Sequence, residues 1–266
     1  MNLVDFVKDR SLLNLEISPA QEVLLRAIDG LPLVGDEQRQ LWEDCTGRSI
    51  GDYLEGHRYP ETTVVCGARS GKDSRIAVPA ALFEAIFGGH AEHLAKGERG
   101  IVPIIAQDLR ATRVAFGYAR DYLLDSPDLK PLVEDVKANE IVLSNGLSIM
   151  VFPSTAKSLR AWSTPVGVMD ELAFFEAESA DSDQEIQMSL IRGGINFPSP
   201  RIFKISTPFA KAGLLYTDFQ QSFGKADKHR LVWRASTWVM NPSIRAEKFA
   251  RYAQDDPQRY AREFEA

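Results

Sequence analysis

The segment TTVVCGARSGKDS, from Thr62 to Ser74, limits the possible folds more than any other stretch of the chain. Thr62, Thr63, Val64 and Val65 are β-branched and favour an extended strand. Gly67 and Gly71 bracket a turn, and Lys72 opens an amphipathic run with the pattern of a helix. A rigid strand, a glycine-bearing turn and a helix N-terminus place backbone N–H groups around an anion, and a lysine can reach its outer charges. The usual phosphate loop has four residues between its glycines and a Ser or Thr after the lysine. Here only Ala68, Arg69 and Ser70 lie between the glycines, and Asp73 follows Lys72, with the hydroxyl of Ser74 one residue later.

The rest of the chain supplies the sheet that such a loop needs. Strands are expected at 62–66, 101–106, 166–169, 201–206 and 230–235, and helices at about 72–87, 108–124, 178–192 and 212–222. Alternation of this kind predicts an α/β fold, a mostly parallel sheet flanked by helices with ligands at its carboxyl edge. Residues 140–143 and 147–152 flank Ser144-Asn145-Gly146 and predict a hairpin. Pro79 predicts a kink or a shortened first helix. Residues 1–60 form a small helical N-terminal lobe. In it Ser18 caps a helix with Pro19 in its first turn, and a second helix runs from Asp36 to Cys45. Residues 61–235 form the core, and 236–266 a charged helical linker or lid.

Length and composition agree with one large α/β domain. The chain has 266 residues, 44% hydrophobic and 26% charged, with net charge −6. That charge argues against coating nucleic acid by bulk attraction, though not against a local basic face. Cys45 and Cys66 form no spaced set for zinc or a disulfide framework. No apolar run approaches the ~20 residues that span a bilayer, and the N-terminus lacks the apolar core of a signal peptide.

Val166-Gly167-Val168-Met169 is an apolar strand ending in Asp170-Glu171. In a parallel sheet those two acids reach the same edge as the lysine loop. ATP hydrolysis there needs one acid for Mg²⁺ and one to orient or deprotonate the attacking water. Asp170 takes the metal role and Glu171 the catalytic one; Asp73 replaces the usual hydroxyl ligand, or Ser74 is brought in to supply it, or the metal site is weak. Arg69 either contacts phosphate or packs on the loop. Ser206-Thr207 ends the strand 201–206 and could sense the outer phosphate or simply form a turn. Gln21 could offer its amide to adenine, or complete a capping box with Ser18. Arg160 could stabilise a phosphoryl transition state or pair with a nearby acid.

Charge is also segregated. Residues 168–191 hold seven acids (Asp170, Glu171, Glu176, Glu178, Asp181, Asp183, Glu185) and no lysine or arginine. Residues 201–234 hold seven bases against two acids. The basic block could meet DNA phosphates, a partner's acidic face or only solvent.

Taken in order, these elements resemble the ATPase domain of tailed-bacteriophage large terminase subunits. The resemblance rests on Pro19 and Gln21, GARSGKDS (Walker A), AQDLRATR, SLRAW before VGVMDE (Walker B), KISTP, and the tail from TWVMNP to REF. It covers most of residues 18–266. It implies a P-loop NTPase fold of the additional-strand (RecA-like) type, ATP and Mg²⁺ as ligands, and ATP-driven translocation of double-stranded viral DNA into a procapsid. It also implies a homo-oligomeric ring on the portal protein, a small terminase subunit as partner, and action in the host cell cytoplasm rather than in the mature virion. It makes Gln21 an adenine contact, Arg160 an arginine acting on a neighbouring subunit's nucleotide, and Ser206-Thr207 the coupling segment. Asp73 departs from the Ser or Thr that the resemblance leads one to expect. The chain also stops where that family continues into a nuclease domain, so it is expected to be an isolated ATPase domain without nuclease activity. A helicase-like remodelling ATPase shares this strand-end chemistry, and Asp73 would suit a nucleotide-binding module that hydrolyses nothing.

Overall fold

The computed structural model describes residues 1–155, 157–175 and 183–266. Eight strands form one sheet: β1 (Glu61–Cys66), β2 (Gly100–Ala106), β3 (Val133–Val136), β4 (Glu140–Leu143), β5 (Leu147–Pro153), β6 (Val166–Asp170), β7 (Arg201–Ser206) and β8 (Arg230–Ala235), in the order β3-β4-β5-β2-β6-β7-β1-β8. From β5 to β8 every pairing is parallel, and β4 and β3 extend that edge antiparallel. β7 lies between β1 and β6, so the lysine-loop strand and the Asp-Glu strand are separated by one inserted strand. This is the additional-strand arrangement.

The helices are α1 (Leu3–Lys8), α2 (Pro19–Asp29), α3 (Gly35–Thr46), α4 (Val78–Phe87), α5 (Leu109–Asp125), α6 (Asp183–Gly194), α7 (Gly213–Ser222), α8 (Thr237–Met240), α9 (Ala250–Asp255) and α10 (Pro257–Tyr260). Strands β1, β2, β6 and β7 are buried along their whole length, as strands covered on both faces must be. Alternate residues feed two cores. Val64, Ile104 and Val168 meet α1, α2, α4 and α5, while Val65, Ile105 and Met169 meet α6 and α7. Among the described residues no helix is long and apolar enough to cross a membrane.

Several expectations needed correction. Residues Lys72–Ala77 wind as a π-helix, and the α-helix begins only at Val78. In an α-helix the ring of Pro79 would crowd the carbonyl of Arg75 and leave it without a donor. The wider turn accommodates that ring, with the Val78 N–H bonded to the Asp73 carbonyl. β3 was not anticipated, because Val133-Glu-Asp-Val136 is an edge strand with little apolar signal. The tail, 243–266, is helical as expected, in four short pieces, with Pro257 opening the third. The expected helix at 178–192 is described from Asp183 onward; Glu176, Glu178 and Asp181 of the acidic run lie outside the described residues. The hairpin is present, with Gly146 at φ +90°.

The basic block is not one surface. Lys204 is fully buried and bonds Glu61 Oε2 (2.6 Å) and Asp218, and Arg230 reaches the same two carboxylates at 3.0 and 3.2 Å. Arg201 is buried against Glu84 (3.0 Å), which also pairs with Arg58 and His90. Three of the seven bases are thus committed to internal ion networks; Lys211, Lys225, Lys228 and Arg234 remain exposed.

Candidate active site

Parallel strands bring their carboxyl ends to one edge. Register sets Val65 beside Ser206 and Asp170 beside Ile205. The loop after β1, the acids after β6 and the hydroxyls after β7 therefore converge. The loop itself takes two left-handed residues, Arg69 at φ +61° and Gly71 at φ +78°. The first is unusual for a residue with a side chain. Gly67 is required by close approach, since a Cβ there would collide with the Phe264 carbonyl and Thr237 Oγ1.

Lys72, buried to 5% exposure, extends its Nζ to 2.9 Å from Glu171 Oε1, 3.5 Å from Thr207 Oγ1 and 4.0 Å from Asp73 Oδ1. Glu171 is left-handed at φ +52°. Its Oε2 lies 3.4 Å from Ser206 Oγ and accepts from the Thr207 N–H, also at 3.4 Å. Ser206 Oγ accepts from the Ala173 N–H (3.1 Å), tying the turn after β6 to the end of β7. Ser206 and Thr207 are both buried; the Thr207 N–H reaches Glu171, while the single hydroxyl proton of Ser206 lies nearer the Thr207 carbonyl (2.9 Å) than Glu171 (3.4 Å).

The charges here are strongly interacting. Burial, and then the neighbouring Asp73 and Glu171, push the Asp170 carboxyl well above the usual carboxylate range. Burial also raises Asp73, with Glu171 adding to it against the pull of Lys72. For Lys72 burial disfavours the charge, but the carboxylates of Asp73 and Glu171 outweigh it and hold the ammonium protonated. Asp73 Oδ1 and Asp170 Oδ1 are buried without a hydrogen-bond partner among the described residues. Two such oxygens beside a phosphate-type loop fit Mg²⁺, which takes one or two carboxylates and fills its octahedron with phosphate oxygens and water. No group of three or more His, Cys, Asp or Glu side chains among the described residues could hold a metal alone. The Ser74 carbonyl accepts from Tyr122 Oη (2.8 Å).

A cleft of about 870 Å³ opens above the loop, lined by Gln21, Ala68–Arg75, Glu171 and Thr207, with Tyr118 and residues 240–244 along its rim. Gln21 does complete the capping box: the Ser18 N–H donates to its Oε1 (3.0 Å), and its own N–H donates to Ser18 Oγ (3.2 Å). Its amide also holds the loop, Nε2 donating to the Ser70 carbonyl (2.9 Å). Arg160 is not part of this cluster. It is exposed and pairs with Glu185 at 2.6 Å. Thr237 and Asn241, which bond the Ala68 and Arg69 carbonyls, were not singled out from the sequence. Their only signal there was the tail likeness beginning TWVMNP.

The chain matches no protein-family model and no curated protein. Solved structures do match it. The large terminase of bacteriophage HK97 superposes with a TM-score of 0.70 over 99% of this chain and 54% of that one, at 13% identity. The large terminase ATPase domain of Thermus phage P74-26 gives 0.60 over 90% of this chain and 95% of that domain, at 15% identity. A large terminase from a thermophilic bacteriophage, in complex with ADP, gives 0.54 over 94% and 52%, at 12% identity. The chain thus spans about half the length of the HK97 protein. Its fold is that of the ATPase domain of phage large terminases, a RecA-like P-loop fold.

Proposed function

We propose that this chain is an ATP-hydrolysing motor domain that drives double-stranded DNA into a viral procapsid. The observation that carries the reading is the 2.9 Å contact of Lys72 with Glu171 beneath an open cleft, beside two carboxylate oxygens that have no hydrogen-bond partner among the described residues. The terminase fold supplies the class of motor. On this reading the loop N–H groups and Lys72 bind the phosphates of ATP. Phosphate oxygens compete with Glu171 for the Lys72 ammonium, which releases the Glu171 carboxylate to accept a proton from the attacking water. Thr207 keeps Glu171 oriented and, with Ser206, carries changes in its position to β7. Mg²⁺ held by Asp170 and Asp73 would offset the charge of the β- and γ-phosphates. Arg160 would act on a neighbouring subunit's nucleotide in a homo-oligomeric ring seated on a portal protein, with the small terminase subunit as a further partner and the host cytoplasm as the setting.

Single-turnover hydrolysis tests this directly. Lys72→Ala and Glu171→Ala should each slow phosphate release by roughly 10²-fold or more. Near-normal hydrolysis in either variant would remove that residue from its role. The Lys72–Glu171 ion pair and Asp73 also favour a second reading, a nucleotide-binding module that does not hydrolyse. Tight ATP binding without phosphate release at high protein concentration would establish that one instead.

A further inference from the structure

Three consecutive carbonyls of the loop after β1 are each held from outside by a side-chain donor. Thr237 Oγ1 donates to Ala68 (2.8 Å), Asn241 Nδ2 to Arg69 (3.0 Å) and Gln21 Nε2 to Ser70 (2.9 Å). These donors come from α8, the turn after it and α2. Ser18 Oγ, which donates to the Met240 carbonyl (2.8 Å), joins the two regions. A peptide unit is planar and trans, so its C=O and the following N–H point in opposite directions. A carbonyl fixed by a donor therefore fixes the direction of the next N–H as well. The three N–H groups affected are those of Arg69, Ser70 and Gly71, and none of them is bonded among the described residues. Arg69 and Gly71 both carry positive φ. That strained path has no internal hydrogen bonds to hold it, so its geometry must come from outside.

We propose that Gln21, Thr237 and Asn241 are positioning residues that act as one latch, setting the loop's N–H groups toward a polyphosphate. Gln21 then serves the phosphates rather than the base. The proposal rests on the nucleotide reading above, and it assigns loop geometry to α2 and α8, which lie outside the loop and the catalytic acids. It also explains the short loop: with three residues between the glycines instead of four, every peptide plane in it is held individually. Replacement of one donor frees one carbonyl, and the N–H behind it loses its orientation toward the anion.

The test uses the neutral replacements Gln21→Met, Thr237→Val and Asn241→Leu, so that no new charge meets the phosphates. Calorimetry would measure affinity for ATP, GTP and inorganic tripolyphosphate, with the ligand-free thermal midpoint as the reading of folding. Each variant should lose affinity for all three ligands by one common factor, roughly tenfold for a single misdirected donor to an anion. The midpoint should not fall in step with affinity. Three variants guard against one of them failing to fold. If Gln21→Met weakens ATP alone and leaves tripolyphosphate unchanged, Gln21 reads adenine and the latch is wrong. Unchanged affinity in all three variants also overturns it. A wild-type chain that binds none of the three ligands overturns the nucleotide reading itself, a result separate from the other two.

Discussion

Asp73 puts a second carboxylate against Asp170 where a hydroxyl would carry no charge. Both carboxyls are raised, chiefly by burial, so their ionised forms are penalised in the folded protein. The sign is opposite to that of a salt-bridged acid: the penalty is present above the raised pKa and is relieved as pH falls through it. Asp73→Thr should therefore stabilise the metal-free protein by about 1–2 kcal/mol at alkaline pH. The gain should shrink on acidification, as urea denaturation in chelator would show. Mg²⁺ should stabilise wild type more than Asp73→Ala, which offers the metal neither carboxylate nor hydroxyl, and equal stabilisation would exclude Asp73 as a ligand. The identities of Asp73, Asp170 and Glu171 were readable from the chain. What could not be read is that one oxygen of Asp73 and one of Asp170 are buried without a hydrogen-bond partner among the described residues, because that depends on how β6 and the π-wound turn meet. Gln21 shows the same limit. Its spacing from Ser18 signals a cap, while its bond to Ser70 depends on a loop 49 residues away.

Among the elements, β7 does the most to build the site. It separates β1 from β6, carries Ser206 and Thr207 to Glu171, and places Lys204 within the sheet. Lys204 is the centre of a buried network with Glu61 and Asp218, joined by Arg230. Removing one member leaves uncompensated buried charge, so Lys204→Met should cost about 3–5 kcal/mol in urea denaturation. Burial opposes ionisation of Glu61, but Lys204 and Arg230 outweigh it and hold the group at about 2, against 4.5 for a free carboxyl. The stability it contributes is present above pH 4.5 and is lost as pH falls toward 2. A stability profile of Lys204→Met should lose much of that acid dependence. All the strands but β3 were legible, because β-branched runs and alternation with helices are local signals. The network was not, since Arg201, Lys204 and Arg230 look in sequence like part of a solvated basic run. The π-wound turn was half legible: Pro79 signalled a break, but not that the extra width would fall between Lys72 and Ala77.

On the scale of the whole molecule, the residue that this chain leaves outside its own cluster is Arg160. Its partner Glu185 is exposed, and an exposed pair of this kind is worth ~1 kcal/mol or less, so it is easily exchanged for a stronger anion on a neighbouring molecule. If Arg160 acts between subunits, hydrolysis per chain should rise with protein concentration. Arg160→Ala should abolish that rise without changing ATP affinity. A concentration-independent rate, equal in both proteins, would confine Arg160 to its surface ion pair. By itself the sequence determined the α/β class, the strand–loop–lysine unit and the acid pair at a strand end. Each of these is written in a few adjacent residues whose backbone preferences and chemistry act locally. Only the tertiary structure decided which strand lies between β1 and β6, which charges are buried, and which side chains hold the loop. Thr237 and Asn241 bond carbonyls 169 and 172 residues away. A hydrogen bond to a backbone carbonyl leaves no mark on the identity of the residue that accepts it, so nothing in the linear order could announce those contacts.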